Sequence, residues 1–440
     1  MNAGGLQFTT GRAAPLRGRI RVPGDKSVSH RAVMFASLAD GVSRITGFLE
    51  GEDTRATAAV FRALGVRIET PNAGERIVHG VGIDGLRGTS SPLDCGNAGT
   101  AMRLLTGLLA AQSFDSTLVG DISLSKRPMR RVIEPLLAMG ARIDSTDGLP
   151  PLRIRGGQGL RGIEYVLPMA SAQVKSALLL AGLYAQGETT VREPHPTRDY
   201  TESMLRQFGV NIDYAPGHAA LHGGQRLRAS DVDVPADFSS AAFFLVASSI
   251  VPGSDLLLEA VGMNPRRTGL LATLRDMGAD ITIERESVQG GETVADLRVR
   301  HAPLHGIEVP VDRVPDMIDE FPILFVAAAV ADGPTVIRGA AELRVKESDR
   351  LATMSTALRS LGACIEETAD GAMIQGGTAL TGGRVHAHGD HRIAMSAAVA
   401  GQLASAPVWI DDCDNVATSF PNFVERAVDV GMTLAARRLT

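Results

Sequence analysis

A short pattern recurs six times along this chain and restricts its fold more than any other feature. A helix-like stretch ending in an apolar residue and glycine, then an alternating strand, reads FRALGVRIE at 61–69, LLAMGARID at 136–144 and LRQFGVNID at 205–213. It returns as LRDMGADIT at 274–282, LRSLGACIE at 358–366 and, in a weaker form, AVDVGMTLA at 427–435. The glycines stand at 65, 140, 209, 278, 362 and 431, between 69 and 84 residues apart. Glycine there fits the residue just past a helix, where a left-handed backbone carries no Cβ penalty. The alternating β-branched run that follows fits a helix handing over to a strand.

A second helix type interleaves with the first. Ala/Leu-rich segments at 31–40, 101–111, 172–186, 240–250, 322–331 and 393–404 are apolar nearly all round, which predicts buried helices. Each is followed by a strand-like run, and most of the glycine-ended helices by a strand pair around a turn. The unit is therefore β-α-β-α-β-β, some 70 residues long. That is too large for a solenoid repeat of about 20–45 residues. Three units in each of two α/β domains, with helices inside and sheets outside, is the economical arrangement. The expected division is 23–235 for one domain and 1–22 plus 236–440 for the other, with the chain crossing twice.

Composition removes several function classes. A net charge of −5 without a basic block argues against nucleic-acid binding. Three scattered cysteines, 95, 364 and 413, make neither a disulfide framework nor a zinc knuckle, and no HExxH-type metal spacing occurs. The first residues carry no secretory signal, and no apolar run reaches the ~20 residues of a membrane span. A cytoplasmic protein is the expectation. Of the 44 basic residues only four are lysines: Lys26, Lys126, Lys175 and Lys346.

Chemistry-bearing residues cluster just before or at the start of the buried helices. The first segment is Gly24-Asp25-Lys26-Ser27-Val28-Ser29-His30-Arg31. It lacks the GK[ST] run of a phosphate loop but puts a lysine, hydroxyls and Arg31 at a helix N-terminus, where anions are favoured. Asp94-Cys95-Gly96-Asn97-Ala98-Gly99-Thr100 is a small-residue turn, with Thr100 a candidate helix cap. Arg127 follows Lys126, and Ser171-Ala172-Gln173 starts the third buried helix. Asp316, Asp319 and Glu320 head the fifth. Lys346-Glu347-Ser348-Asp349-Arg350 is expected to open a helix with its two cations one turn apart. Gly389-Asp390-His391-Arg392 heads the sixth buried helix. Ordinary caps and solvated charges account for any one of these alone. Their common place in the repeat is what sets Lys26, Arg31, Arg127, Lys346, Arg350 and Arg392 against Asp319 and Glu347 in one interdomain cleft, a focusing device for small polyanions. The GxGxxG match at 80–85 is not followed by a helix and is set aside.

The segments GDKSVSHR, GNAGTAMR, KRPM, SAQVKSALLLAG, VKESDR and DHRIAM resemble the motifs of the 5-enolpyruvylshikimate-3-phosphate synthase family over essentially the whole chain. The resemblance implies a two-domain inside-out α/β barrel with three βαβαββ repeats per domain. It also implies transfer of the enolpyruvyl group of phosphoenolpyruvate to shikimate-3-phosphate, without metal or organic cofactor; a monomer is the expectation. By the same resemblance, Lys26, Gly99, Arg127, Gln173, Arg350 and Arg392 hold phosphoenolpyruvate. Lys26, Ser27, Arg31, Ser171, Gln173, Arg198, Asp319 and Lys346 hold shikimate-3-phosphate. Asp319 would take the proton of the 5-hydroxyl, with Glu347 as the acid at the methylene carbon. Two departures stand out. Ala172 replaces a serine common in the family, and 417–421 lacks a common lysine, as in the more divergent bacterial subgroup. A sister transferase acting on UDP-N-acetylglucosamine, or a non-catalytic polyanion-binding scaffold, are the competing readings. The first ordinarily uses a reactive cysteine on a mobile loop, and Cys95 lies in the glycine turn.

Overall fold

The computed structural model describes residues 5–289 and 292–439, and these form two compact units. One is Gly24–Val234; the other gathers the residues up to Pro23, Pro235–Val288 and those from Glu292 onward. The first carries helices α1 (Lys26–Leu38), α2 (Glu52–Ala63), α3 (Gly99–Ala110), α4 (Arg130–Ala138), α5 (Ala172–Gly182) and α6 (Tyr200–Gln207). The second carries α7 (Phe238–Ile250), α8 (Gly269–Asp276), α9 (Phe321–Val330), α10 (Arg350–Ser360), α11 (His391–Ala400) and α12 (Phe423–Asp429). Odd-numbered helices are the buried type: every residue of α7 is buried, as is all of α9 but its last residue. They pack together inside each unit, and each unit has its own apolar core.

Six sheets surround these helices, and their strand orders share one plan. In the sheet holding Ser116–Val119, that strand pairs in parallel with Leu93–Asp94 and antiparallel with Leu149–Arg155, which pairs antiparallel with Arg142–Thr146. Its inward face is Leu93, Leu118, Leu152, Ile154 and Ile143, all buried. In the sheet of Pro334–Ile337 the parallel neighbour shrinks to the bridges His305↔Asp332 and Glu308↔Val336. Arg17–Ile20 pairs with Asp255–Gly262, and Leu6–Thr10 with both Val408–Asp411 and Leu434–Arg438, so the early strands complete sheets of the C-terminal unit.

The six glycines behave as the repeat predicts. Each follows an even-numbered helix with φ between 84° and 102°. In each, the amide of the next residue donates back five residues to a helix carbonyl, at 2.9–3.0 Å, from Val66 to Phe61 in the first repeat and Met432 to Ala427 in the last. This closes the helix end and launches the strand. Four repeats add a clamp. Arg62, Arg206, Arg275 and Arg359, three residues before the glycine, donate to the carbonyl of Ile68, Ile212, Ile281 and Ile365, three residues after it. The other two repeats have Leu137 and Val428 at that position, 46% and 50% exposed. Arg359→Met is expected to cost about 1 kcal/mol in urea denaturation, the worth of one such hydrogen-bonded pair. A cost below ~0.3 kcal/mol would show that the clamp adds nothing.

Two local expectations need correction. The first buried helix begins at Lys26, five residues before its apolar run, because the Asp25 carboxylate accepts from the Val28 amide at 2.8 Å. Lys346 is not inside a helix. Asp349 caps α10 by accepting from Ala352 N, so the helix starts at Arg350 and Lys346 lies four residues upstream, after a 3-10 turn.

Candidate active site

In the unit Gly24–Val234 the polar groups gather at the N-terminal ends of the buried helices. Lys26 opens α1, and its ammonium pairs with Asp53 from the first turn of α2 while keeping 25% of its side chain exposed. One turn on, Arg31 is buried. Its Nε donates to Thr201 Oγ1 at 2.7 Å, Nη1 to the Ser27 carbonyl at 3.0 Å and Nη2 to Ser176 Oγ at 2.8 Å. All three acceptors are neutral. Burial, then the charge of Arg198, pushes the Arg31 guanidinium down to about 10. His30 sits behind it with Nδ1 2.8 Å from Thr57 Oγ1. Burial, helped by Lys26 and Arg31, holds His30 well below the ordinary histidine range, so it is neutral at pH 7.

At α3 the missing side chain of Gly99 matters. A Cβ there would lie 3.1 Å from Nη1 of both Arg103 and Arg127, so glycine lets two guanidinium groups sit against the helix start. Arg127 is oriented by Asn97 Oδ1 at 2.6 Å and Ser123 Oγ at 3.2 Å. Arg103 donates to Gln173 Oε1 at 2.7 Å, and Gln173 Nε2 donates to Thr100 Oγ1 at 2.9 Å. Thr100 is therefore not the cap of α3. Ala98 occupies that position without a side-chain bond, and the threonine hydroxyl is inside the helix, bonded to Gln173. Ser171 caps α5 through a long 3.4 Å contact to Val174 N. Arg198 lies half-buried just before α6.

The other unit carries a second cluster, built around Asp319. Its Oδ1 lies 3.4 Å from Arg350 Nη1 and 3.7 Å from Lys346 Nζ, and its Oδ2 lies 3.4 Å from Arg267 Nη1. Arg392 Nη1 donates to the Asp319 carbonyl at 2.9 Å. Arg350 is 1% exposed and wrapped by acids: Asp390 Oδ2 at 2.8 Å on Nε and Glu347 Oε2 at 2.5 Å on Nη2. Burial opposes its charge, but Asp390, Glu347 and Asp319 outweigh it and raise its pKa further. Glu347 and Lys346 keep 23% and 20% of their side chains exposed, so they face outward while Arg350 lies beneath.

The clusters hold more acid than the sequence reading assigned to them. Asp53 sits on Lys26, Asp390 on Arg350, Glu320 near Arg392, and Asp237 on Arg267. Arg267 and Arg103 were missed outright. The repeat held a signal for the first: Asp53, Arg127, Arg198, Arg267 and Arg350 all stand eleven to thirteen residues before their repeat's glycine. Arg103 falls one helical turn after Gly99, inside the GNAGTAMR segment. Cys95 is fully buried, and burial, then Asp94 and Asp53, pushes its thiol pKa up, which leaves it inert. Among the described residues, no His, Cys, Asp or Glu group is placed to hold a metal ion, and no helix is long and apolar enough to cross a membrane.

Comparison with known proteins gives a consistent result. Residues 11–427 match a family model described as EPSP synthase (3-phosphoshikimate 1-carboxyvinyltransferase). A 3-phosphoshikimate 1-carboxyvinyltransferase of Xanthomonas axonopodis pv. citri is 68% identical over 424 residues, 96% of either chain. A solved EPSP synthase from Acinetobacter baumannii superposes with a TM-score of 0.89 at 51% identity, covering 98% of this chain and 100% of that one. The enolpyruvyl transferase NikO from Streptomyces tendae shares the fold, with a TM-score of 0.77 at 19% identity and coverage of 99% and 100%.

Proposed function

The chain belongs to the EPSP synthase family, and on that premise we propose how its two clusters share one reaction. It transfers the enolpyruvyl group of phosphoenolpyruvate to the 5-hydroxyl of shikimate-3-phosphate and releases phosphate. The hydroxyl oxygen adds to C2 of phosphoenolpyruvate as a proton goes to C3, giving a tetrahedral ketal phosphate. Loss of phosphate and of a proton from the new methyl group then restores the double bond. Our proposal is that residues of both clusters bind these substrates. Lys26, Ser27, Arg31, Ser171, Gln173 and Arg198 hold shikimate-3-phosphate, with Asp319 and Lys346 contributed by the other unit. Lys26, Gly99, Arg127, Gln173, Arg350 and Arg392 hold phosphoenolpyruvate. Asp319 takes the hydroxyl proton and Glu347 delivers one to the methylene carbon. That carbon is a poor base, so acid and cationic cage must act together.

The observation that carries this reading is Arg31, a buried cation whose three hydrogen bonds all end on neutral oxygens. A substrate phosphate would give this guanidinium a directly bonded anion, since Glu202 and Asp25 act on it only through space. The buried Cys95 disfavours the UDP-N-acetylglucosamine alternative. We also read the chain as a cytoplasmic monomer, on the grounds that each unit closes its own core and all three cysteines are free. A phosphate-release assay checks the specificity. Release is expected with phosphoenolpyruvate plus shikimate-3-phosphate and not when UDP-N-acetylglucosamine replaces the latter; the reverse pattern would refute the reading.

A further inference from the structure

We propose that Lys175 is a positioning residue for shikimate-3-phosphate binding: through Glu193 and Glu202 it sets the places of Arg31 and Arg198. The inference rests on the assignment of those two arginines to that substrate.

Lys175 lies in α5 with 4% of its side chain exposed, one turn past Ser171. Its ammonium reaches Glu193 Oε2 at 2.8 Å, Glu202 Oε1 at 2.7 Å and the Thr197 carbonyl at 3.5 Å. The side chains of Glu193 and Glu202 are 0% and 2% exposed. These acceptors mark the start, the middle and the far side of the segment 193–199 that carries Arg198. Glu193 also accepts from the Thr197 amide and hydroxyl, so the segment is folded back onto the lysine.

The neighbouring residues complete the device. Lys175 and Ser176 on α5 face Glu202 and Thr201 on α6. The ionic pair joins the helices, and beside it Ser176 Oγ and Thr201 Oγ1 lie 2.6 Å apart while both accept from Arg31. A shift of α6 against α5 would therefore move the acceptors that orient Arg31. Such a buried charged group is a weak source of stability, because desolvation offsets the attraction, and its better-attested use is to specify geometry. One ammonium faces two carboxylates. Burial raises the Glu202 pKa despite the pull of Lys175, while the Glu202 charge supports the protonated state of Arg31.

The test compares steady-state constants for both substrates in Lys175→Met, Arg198→Met and a triple variant, Lys175→Met with Glu193→Gln and Glu202→Gln. The triple variant removes the buried charge imbalance, which keeps the test open if Lys175→Met alone fails to fold. Lys175→Met is expected to raise the KM for shikimate-3-phosphate at least tenfold, with the KM for phosphoenolpyruvate within twofold. The triple variant is expected to fold and keep the raised KM. If Arg198→Met raises that KM while the lysine variants do not, or if the triple variant restores it, positioning by Lys175 is wrong and the substrate assignment stands. If Arg198→Met leaves it unchanged, the assignment fails and the inference with it.

Discussion

Asp319→Asn protein is expected to fold, bind both substrates and release phosphate about 10³-fold more slowly than the parent, a barrier increase of ~4 kcal/mol. The substitution keeps the shape of the side chain, so the amide oxygen can still face Lys346 and Arg350 where Oδ1 now meets them, while Arg267 loses its contact to Oδ2. What it removes is the carboxylate that accepts the proton of the attacking hydroxyl. The two functions of the residue, organising cations and moving a proton, are thereby separated. Asp319→Ala would confound them by leaving three cations around a void. A kcat within tenfold of the parent, measured at saturating concentrations of both substrates, would assign the base to another group and leave Asp319 as an organiser of cations.

Arg350→Met is expected to lose about 3–5 kcal/mol of folding free energy, because it leaves Asp390, Glu347 and Asp319 grouped around a neutral thioether. The Asp390 side chain is fully buried, so its carboxylate cannot recover hydration in exchange. The surface pair of Arg338 with Glu308, 59% and 65% exposed, supplies the internal comparison, since Arg338→Met should cost under ~1 kcal/mol. Guanidinium denaturation of both variants checks the pair of values, and similar losses would contradict the argument from burial. Acid should act on the same cluster. Burial opposes ionisation of Asp390, but Arg350 more than offsets it and depresses the pKa. A group with a depressed folded pKa stabilises above its unfolded pKa and loses that contribution as pH falls toward the folded value. The acid-induced loss in the parent should therefore be blunted in Arg350→Met.

How far the site was legible depends on the range of the interaction. Lys26, Arg31, Gly99, Arg127, Gln173 and Asp319 could be singled out because each stands in a short segment at a helix start, and helix starts attract polar groups for backbone reasons. Their partners could not. Asp53 lies 27 residues from Lys26, Thr201 lies 170 from Arg31, and Gln173 lies 70 from Arg103. No local pattern links such pairs. The sequence reading therefore expected a cationic cleft with few acids, whereas the structure shows most cations already matched and Arg31 bonded only to neutral oxygens. Lys175 could be read only as structural or supporting, since its two carboxylates come from a strand end and another helix.

The six glycines mark the other side of that boundary. A left-handed residue after a helix is a one-residue backbone requirement that excludes almost every side chain but hydrogen, so the repeat, its helix ends and its strand starts are written locally. The all-round apolar helices are equally direct, because such a surface has no stable place except inside a core. Those two facts determined six repeats, two helix types and the helix-inside arrangement from sequence alone. Which acid meets which cation, and that Arg31 hydrogen-bonds only to neutral oxygens, was decided only when packing brought distant segments within hydrogen-bond distance. Electrostatic pairing follows separation in space, and separation along the chain does not encode it.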